Sequence, residues 1–169
     1  SLLRDAFCLA NETFAASARS DRWRLFQLVF LVRNLSVLAA REWADVATTD
    51  DVEVLWFPTG GGKTEAFLGL LTTALFFDRL RGRANGVTGV VRLPLRLLSH
   101  QQFQRIVRIV SAAETVRRRA SVGGRPFSVG YWIGQGGSPN TVDEAMAKEW
   151  EANPASCQRL KKIQRCPYC

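Results

Sequence analysis

The chain has 169 residues, 47% of them hydrophobic, which is enough for one domain with a real core and excludes a disordered tail. Lysine and arginine outnumber aspartate and glutamate by 23 to 15, and the resulting +8 favours a polyanionic partner such as nucleic acid, unless acids elsewhere in a longer protein balance it. No apolar run is long enough to span a membrane, since even "FQLVFLV" is bounded by Arg24 and Arg33, so a soluble, cytoplasmic protein with no membrane partner is expected.

In chain order, residues 1–50 read as an N-terminal helical segment, with apolar residues at helical spacing over 22–40 and Asp21 as its N-cap. "VEVLWF" at 52–57 is a β-branched and aromatic run of strand length, ended by Pro58. From Thr64 to about Arg81, Leu, Ala and Phe fall on nearly every face, which predicts a helix buried within an α/β domain. "GRANG" breaks the chain before a second predicted strand at 87–93. A helix is predicted over 97–119, then a third strand at 127–133 and the glycine-rich loop "GQGGSPNT". Strand, helix, strand, helix, strand at this spacing predicts an α/β fold, a parallel sheet flanked by helices. The divisions expected are 1–50, 51–145 for the α/β part and 146–169 for the start of an inserted segment. Ser1 in place of Met and the closing "CPYC" suit a fragment of a longer protein.

The densest chemistry lies in "LWFPTGGGKTEAFLGL", residues 55–70. A glycine turn feeding a helix N-terminus makes an anion site, because backbone N–H groups and the positive helix end converge on one point. Pro58, Thr59, Gly60, Gly61 and Gly62 form the turn, whose glycines leave room for main chain to wrap the β- and γ-phosphates of ATP. Lys63 would reach those oxygens and the Thr64 hydroxyl would bind Mg²⁺, so both are assigned catalytic roles, while Glu65 closes the cofactor-binding stretch. The competing reading is a tight strand–helix turn that happens to contain Gly-Lys-Thr.

Pro58 to Thr64 resemble the Pro-Thr-Gly-x-Gly-Lys-Thr loop of superfamily 2 helicases, although Phe57 stands where the longer P-loop pattern has glycine. "LPLRLLSHQQFQR" is similar to that superfamily's motif Ia, Pro-Thr-Arg-x-Leu-x-x-Gln, through Pro94, Arg96, Leu98 and Gln101, with Leu95 replacing the threonine. The resemblance implies contact with the sugar-phosphate backbone, work that a helix N-terminus with an adjacent arginine suits. Gln27, beside Phe26, resembles the glutamine that recognises adenine upstream of the loop in these helicases; a glutamine on a polar helix face is an equal alternative. "FQLVFL", "LWFPTGGGKTEAFLGL", "RLLSHQQFQR", "PFSVGYWIGQGGSPNT" and "CPYC" look like segments of the DrmA family, the helicase component of the DISARM antiphage system, in that family's order.

That resemblance implies the N-terminal part of a RecA-like P-loop NTPase lobe with ATP and Mg²⁺ as cofactors, nucleic acid (DNA before RNA) as partner, and further partner proteins of a defence system. Gly136 and Gly137, with Ser138 and Asn140, would lie on the nucleic-acid side, or else form an exposed connector. The acidic motif that holds Mg²⁺ is not recognisable, since Asp143-Glu144 reads as a polar helix start, so the fragment alone is expected to be inactive.

Cys166 and Cys169 have C-x-x-C spacing suited to Zn²⁺, with other ligands expected beyond the chain; a redox pair is the alternative. Cys157 and Cys8 read as incidental or packing residues, and His100 as a surface or strand-contacting residue. Two further function classes fit parts of the sequence. One is a P-loop ATPase or kinase that does not act on nucleic acid, and the other a zinc-containing DNA-binding module with an inactive loop.

Overall fold

A helix with apolar residues on nearly every face forms stably only if other elements cover it on several sides. In the computed structural model, which describes residues 1–17, 22–40, 52–58, 60–93, 96–132, 143–153, 163 and 166, that requirement is met by helices. The elements are α1 (Leu2–Ala16), α2 (Leu25–Ala39), α3 (Lys63–Leu80), α4 (Arg96–Arg119) and α5 (Glu144–Ala152). Helix α3 packs on both α1 and α2. It buries Ala66, Leu68, Thr72, Thr73, Phe76 and Phe77, and the two threonine hydroxyls are satisfied by donating to Leu68 O and Gly69 O at 2.7 and 2.9 Å.

The chain divides into two compact units, one of Ser1–Arg92 with Arg108–Ser128, the other of Leu93–Val107 with Val129–Cys169. In the first, Ala6, Ala10 and Thr13 of α1, Leu31 and Leu38 of α2, and Ala112, Ala113 and Val116 of α4 complete a core around α3. Gly69 sets the approach of α2: a Cβ there would lie 2.9 Å from the Trp23 ring and 3.0 Å from Leu31. Trp23 is itself held, its Nε1 donating to Asn11 Oδ1 at 2.5 Å and its ring 4.5 Å from that of Phe14. Residues 1–17, silent as to function, thus cover one side of α3.

The predicted α/β sheet is not formed. The described residues contain helices and no strand, and 52–58, 87–93 and 126–132 run without a backbone ladder. Strand propensity measures fit to a pleated, half-buried surface, and a strand requires a neighbour to pair with. The residues that a sheet would have sandwiched are instead exposed: Val54 by 80%, Trp56 by 91%, Val90 by 75% and Trp132 by 88%. The apolar surface of α3 that implied a sheet is covered by α1 and α2. Boundaries of the helices agree better. Those predicted at 64–81 and 97–119 are α3 and α4, whereas α2 starts at Leu25 rather than residue 22, with Asp21 outside the described residues.

Two buried carboxylates close the first unit. Asp78, 1% exposed, accepts from Arg81 Nε at 3.1 Å, Arg83 Nη1 at 3.1 Å and Thr88 Oγ1 at 2.8 Å, fastening the turn that follows α3. Glu114 accepts from Arg117 Nε at 2.7 Å, Arg118 Nε at 2.8 Å and the Phe127 amide at 3.1 Å, tying the end of α4 to the segment after it. Phe127 in turn lies edge-on to Phe76, with ring centroids 5.3 Å apart. In the second unit Phe103 stacks on Tyr131 at 4.2 Å, and Asp143 caps α5 by accepting from Met146 N at 2.8 Å.

Gly69→Ala is expected to destabilise the protein by about 1–2 kcal/mol in urea unfolding, because crowding of Trp23 and Leu31 exceeds the roughly 1 kcal/mol that alanine gains as a helix former. The hydrogen bond to Arg117 is the main cause holding the Glu114 carboxyl down at about 2 from its ordinary 4.5, against the opposing effect of burial and with help from Arg118 and the Phe127 amide. A depressed carboxylate stabilises the fold above its unfolded value and ceases to do so as pH falls through the folded one. Wild type should therefore exceed Glu114→Gln in unfolding free energy at neutral pH, with the gap shrinking between about 4.5 and about 2.

Candidate functional site

The turn before α3 has the backbone its glycines permit. Gly60 and Gly62 have φ of 78° and 93°, in the left-handed region, and Gly62 is the N-cap of α3. The amide of Gly61 donates to Pro58 O at 3.2 Å, closing a tight bend. An eighteen-residue helix thus starts at Lys63 with its positive end directed out of this bend. Lys63 and Thr64 are half-buried, and the Lys63 ammonium donates back across the bend to Phe57 O and, at 3.1 Å, to Pro58 O.

The first turn of α2 grips the same bend. Arg24 Nη1 donates to Gly61 O at 2.8 Å and Gln27 Nε2 to Gly62 O at 2.8 Å, while the Phe26 ring stacks on Phe57 with centroids 3.9 Å apart. Gln27 is buried, and its Oε1 accepts the Arg24 amide at 2.8 Å, so both ends of the side-chain amide are engaged by protein. Two of the three glycines are thereby accounted for by internal approaches. A Cβ on Gly61 would sit 2.6 Å from the Phe57 ring, and one on Gly62 would sit 2.7 Å from Gln27 Nε2.

Of the residues expected here, Gln27, Pro58, Gly60, Gly61, Gly62, Lys63, Thr64 and Glu65 are brought together at the start of α3, and Thr59 lies outside the described residues. Arg24 was missed as a partner of the bend. The available signal was its place three residues before Gln27, where a helix N-terminus brings both onto its first turn. Arg96 opens α4 and Gln101 is exposed on it, in the other unit of the chain; Pro94, Gly136 and Gly137 lie outside the described residues. Cys166 is exposed and Cys169 lies outside the described residues. Among the described residues no group of three His, Cys, Asp or Glu could hold a metal ion, so zinc gains no support.

The donor set fits a polyphosphate: a helix N-terminus behind two left-handed glycines, with a mobile-stemmed ammonium beside it. A model of the DEAD/DEAH box helicase family matches residues 40–130, more than half of the chain and inclusive of the whole bend. The chain belongs to the DEAD/DEAH box helicase family. It is also 38% identical over 162 residues to "DISARM protein DrmA" of Bacillus paralicheniformis, an alignment covering 87% of this chain and 14% of that protein. The chain therefore spans about one-seventh of the length of that curated relative. No solved structure matches it. Within a DEAD/DEAH helicase chain, a glycine bend followed by Lys63 and Thr64 stands where nucleotide chemistry is expected, and no helix among the described residues is long and apolar enough to cross a membrane.

Gly62→Ala should cost about 1–3 kcal/mol in thermal or urea unfolding, since it adds backbone strain to a collision with Gln27. Gly60→Ala meets no atom within 4 Å and should cost less, from strain alone.

Proposed function

We propose that this chain supplies the nucleotide-binding part of an ATP-dependent helicase or translocase that acts on nucleic acid, DNA before RNA, in a cytoplasmic antiviral defence system with partner proteins. One observation carries the reading: the N-terminus of α3, behind the Gly60–Gly62 bend and beside the Lys63 ammonium, lies inside the segment that matches the DEAD/DEAH box helicases. Family membership brings ATP and Mg²⁺ as general expectations, and the similarity to the DISARM protein supports the defence context.

In this reading the N–H groups at the start of α3 and of the bend hold the phosphates. Lys63 leaves the carbonyls of Phe57 and Pro58 to pair with phosphate oxygens, and the Thr64 hydroxyl is placed one residue into the helix to hold Mg²⁺. Bound Mg-ATP supplies the cleavable phosphoanhydride whose hydrolysis drives movement. Arg96, at the start of α4, and exposed Gln101 serve phosphate-backbone contact, joined by Pro94, Gly136 and Gly137. The surplus of basic residues supports such a partner, and salt should weaken its binding steeply.

The test is ATP hydrolysis by the intact protein with and without DNA. Stimulation by DNA, lost by at least a hundredfold in Lys63→Ala, is the expected outcome, on the scale of removing one key transition-state charge. Turnover indifferent to DNA would point to an ATPase outside nucleic-acid metabolism, and no turnover at all would sink the reading.

A further inference from the structure

The first turn of α2 makes an unusual number of attachments to one short bend. Phe26 stacks on Phe57 at its entrance, Arg24 donates to Gly61 O, and Gln27 donates to Gly62 O at its exit, the N-cap of α3. Because Arg24, Phe26 and Gln27 lie within four consecutive residues at a helix start, they move as one body. The orientation of the Gln27 amide is settled by its partners: a flipped amide would set oxygen against the Gly62 carbonyl and N–H against the Arg24 amide. Gln27 is 4% exposed, and the absent Cβ of Gly62 is what admits its Nε2 so closely. A purine edge has no route to this amide without unpacking it.

We infer that Arg24 and Gln27 are positioning residues that brace the phosphate-binding bend, and that Gln27 acts on nucleotide binding through bend geometry and not through the base. The inference rests on the nucleotide-binding reading above and departs from base recognition by Gln27. Its physical basis is preorganisation. A glycine-rich bend is costly to order, and two hydrogen bonds that fix the Gly61 and Gly62 carbonyls away from the anion leave the N–H groups facing it before any ligand arrives. Donors that turn the carbonyls outward also remove the repulsion that their oxygens would exert on phosphate.

The test uses the intact protein, calorimetric titration with Mg-ATP, Mg-GTP and Mg-tripolyphosphate, and amide hydrogen exchange without nucleotide. Gln27→Ala is expected to weaken all three ligands by a common factor of about ten, the effect of one lost buried hydrogen bond. Exchange should quicken by a similar factor at residues 60–64 while α1 and the middle of α3 stay protected, which separates loss of the brace from general loosening. Arg24→Ala should act in the same direction, with Arg24→Lys recovering part of the loss because an ammonium can still donate to Gly61 O. Weakening of ATP with GTP and tripolyphosphate untouched would overturn the inference in favour of base reading, as would unchanged exchange at the bend. If wild type bound none of the three ligands, the nucleotide-binding reading would fall, and exchange at the bend would still decide whether the brace exists.

Discussion

The enclosure of α3 is the constraint on which the rest depends. Its apolar residues leave it no water-compatible face of useful width, so α1 and α2 must both reach it. Gly69 admits α2 at close range, and Trp23, fastened to Asn11 of α1, fills the corner between them. Once α2 is seated, the position of its first turn is no longer free. Arg24, Phe26 and Gln27 are delivered to the bend that precedes α3 because the two helices share that interface. Local chemistry at the bend is thus a consequence of packing along the helix behind it.

The bend itself shows how a polar, glycine-rich segment is made orderly. Its carbonyl oxygens are the groups that would be costly to leave unpaired, and they are shared among three side-chain donors, Arg24, Gln27 and Lys63. Two of these are cations, so the bend is surrounded by positive charge as well as being the positive end of a helix. At the far end of α3 the arrangement is reversed in sign. A buried carboxylate, Asp78, gathers two arginines and a threonine to fasten the returning chain.

Much of the site was legible because it is encoded locally. The glycine turn, Lys63 and Thr64 stand together in sequence, and a helix of 64–81 follows from composition alone. The resemblance of Gln27 to a helicase glutamine brought it near the bend, while what it does there depends on which atoms face it, information absent from a string of letters. The sheet was misread for a related reason. "VEVLWF", "VTGVVRL" and "FSVGYWI" have strand composition, but pairing is a property of neighbours, and the covering of α3 by α1 could not be anticipated from residues that carry no motif. The helices, whose hydrogen bonds are internal, were accordingly the better-read elements.

The berth of the Lys63 side chain has a thermodynamic corollary. A lysine stem that swings freely surrenders its rotational freedom when it takes hold of an anion, whereas this one is already moored to the oxygens of Phe57 and Pro58. Transfer to another acceptor is then an exchange of partners with little added ordering. Selectivity follows from that exchange: a weakly charged oxygen cannot displace two peptide carbonyls, and a multiply charged one can.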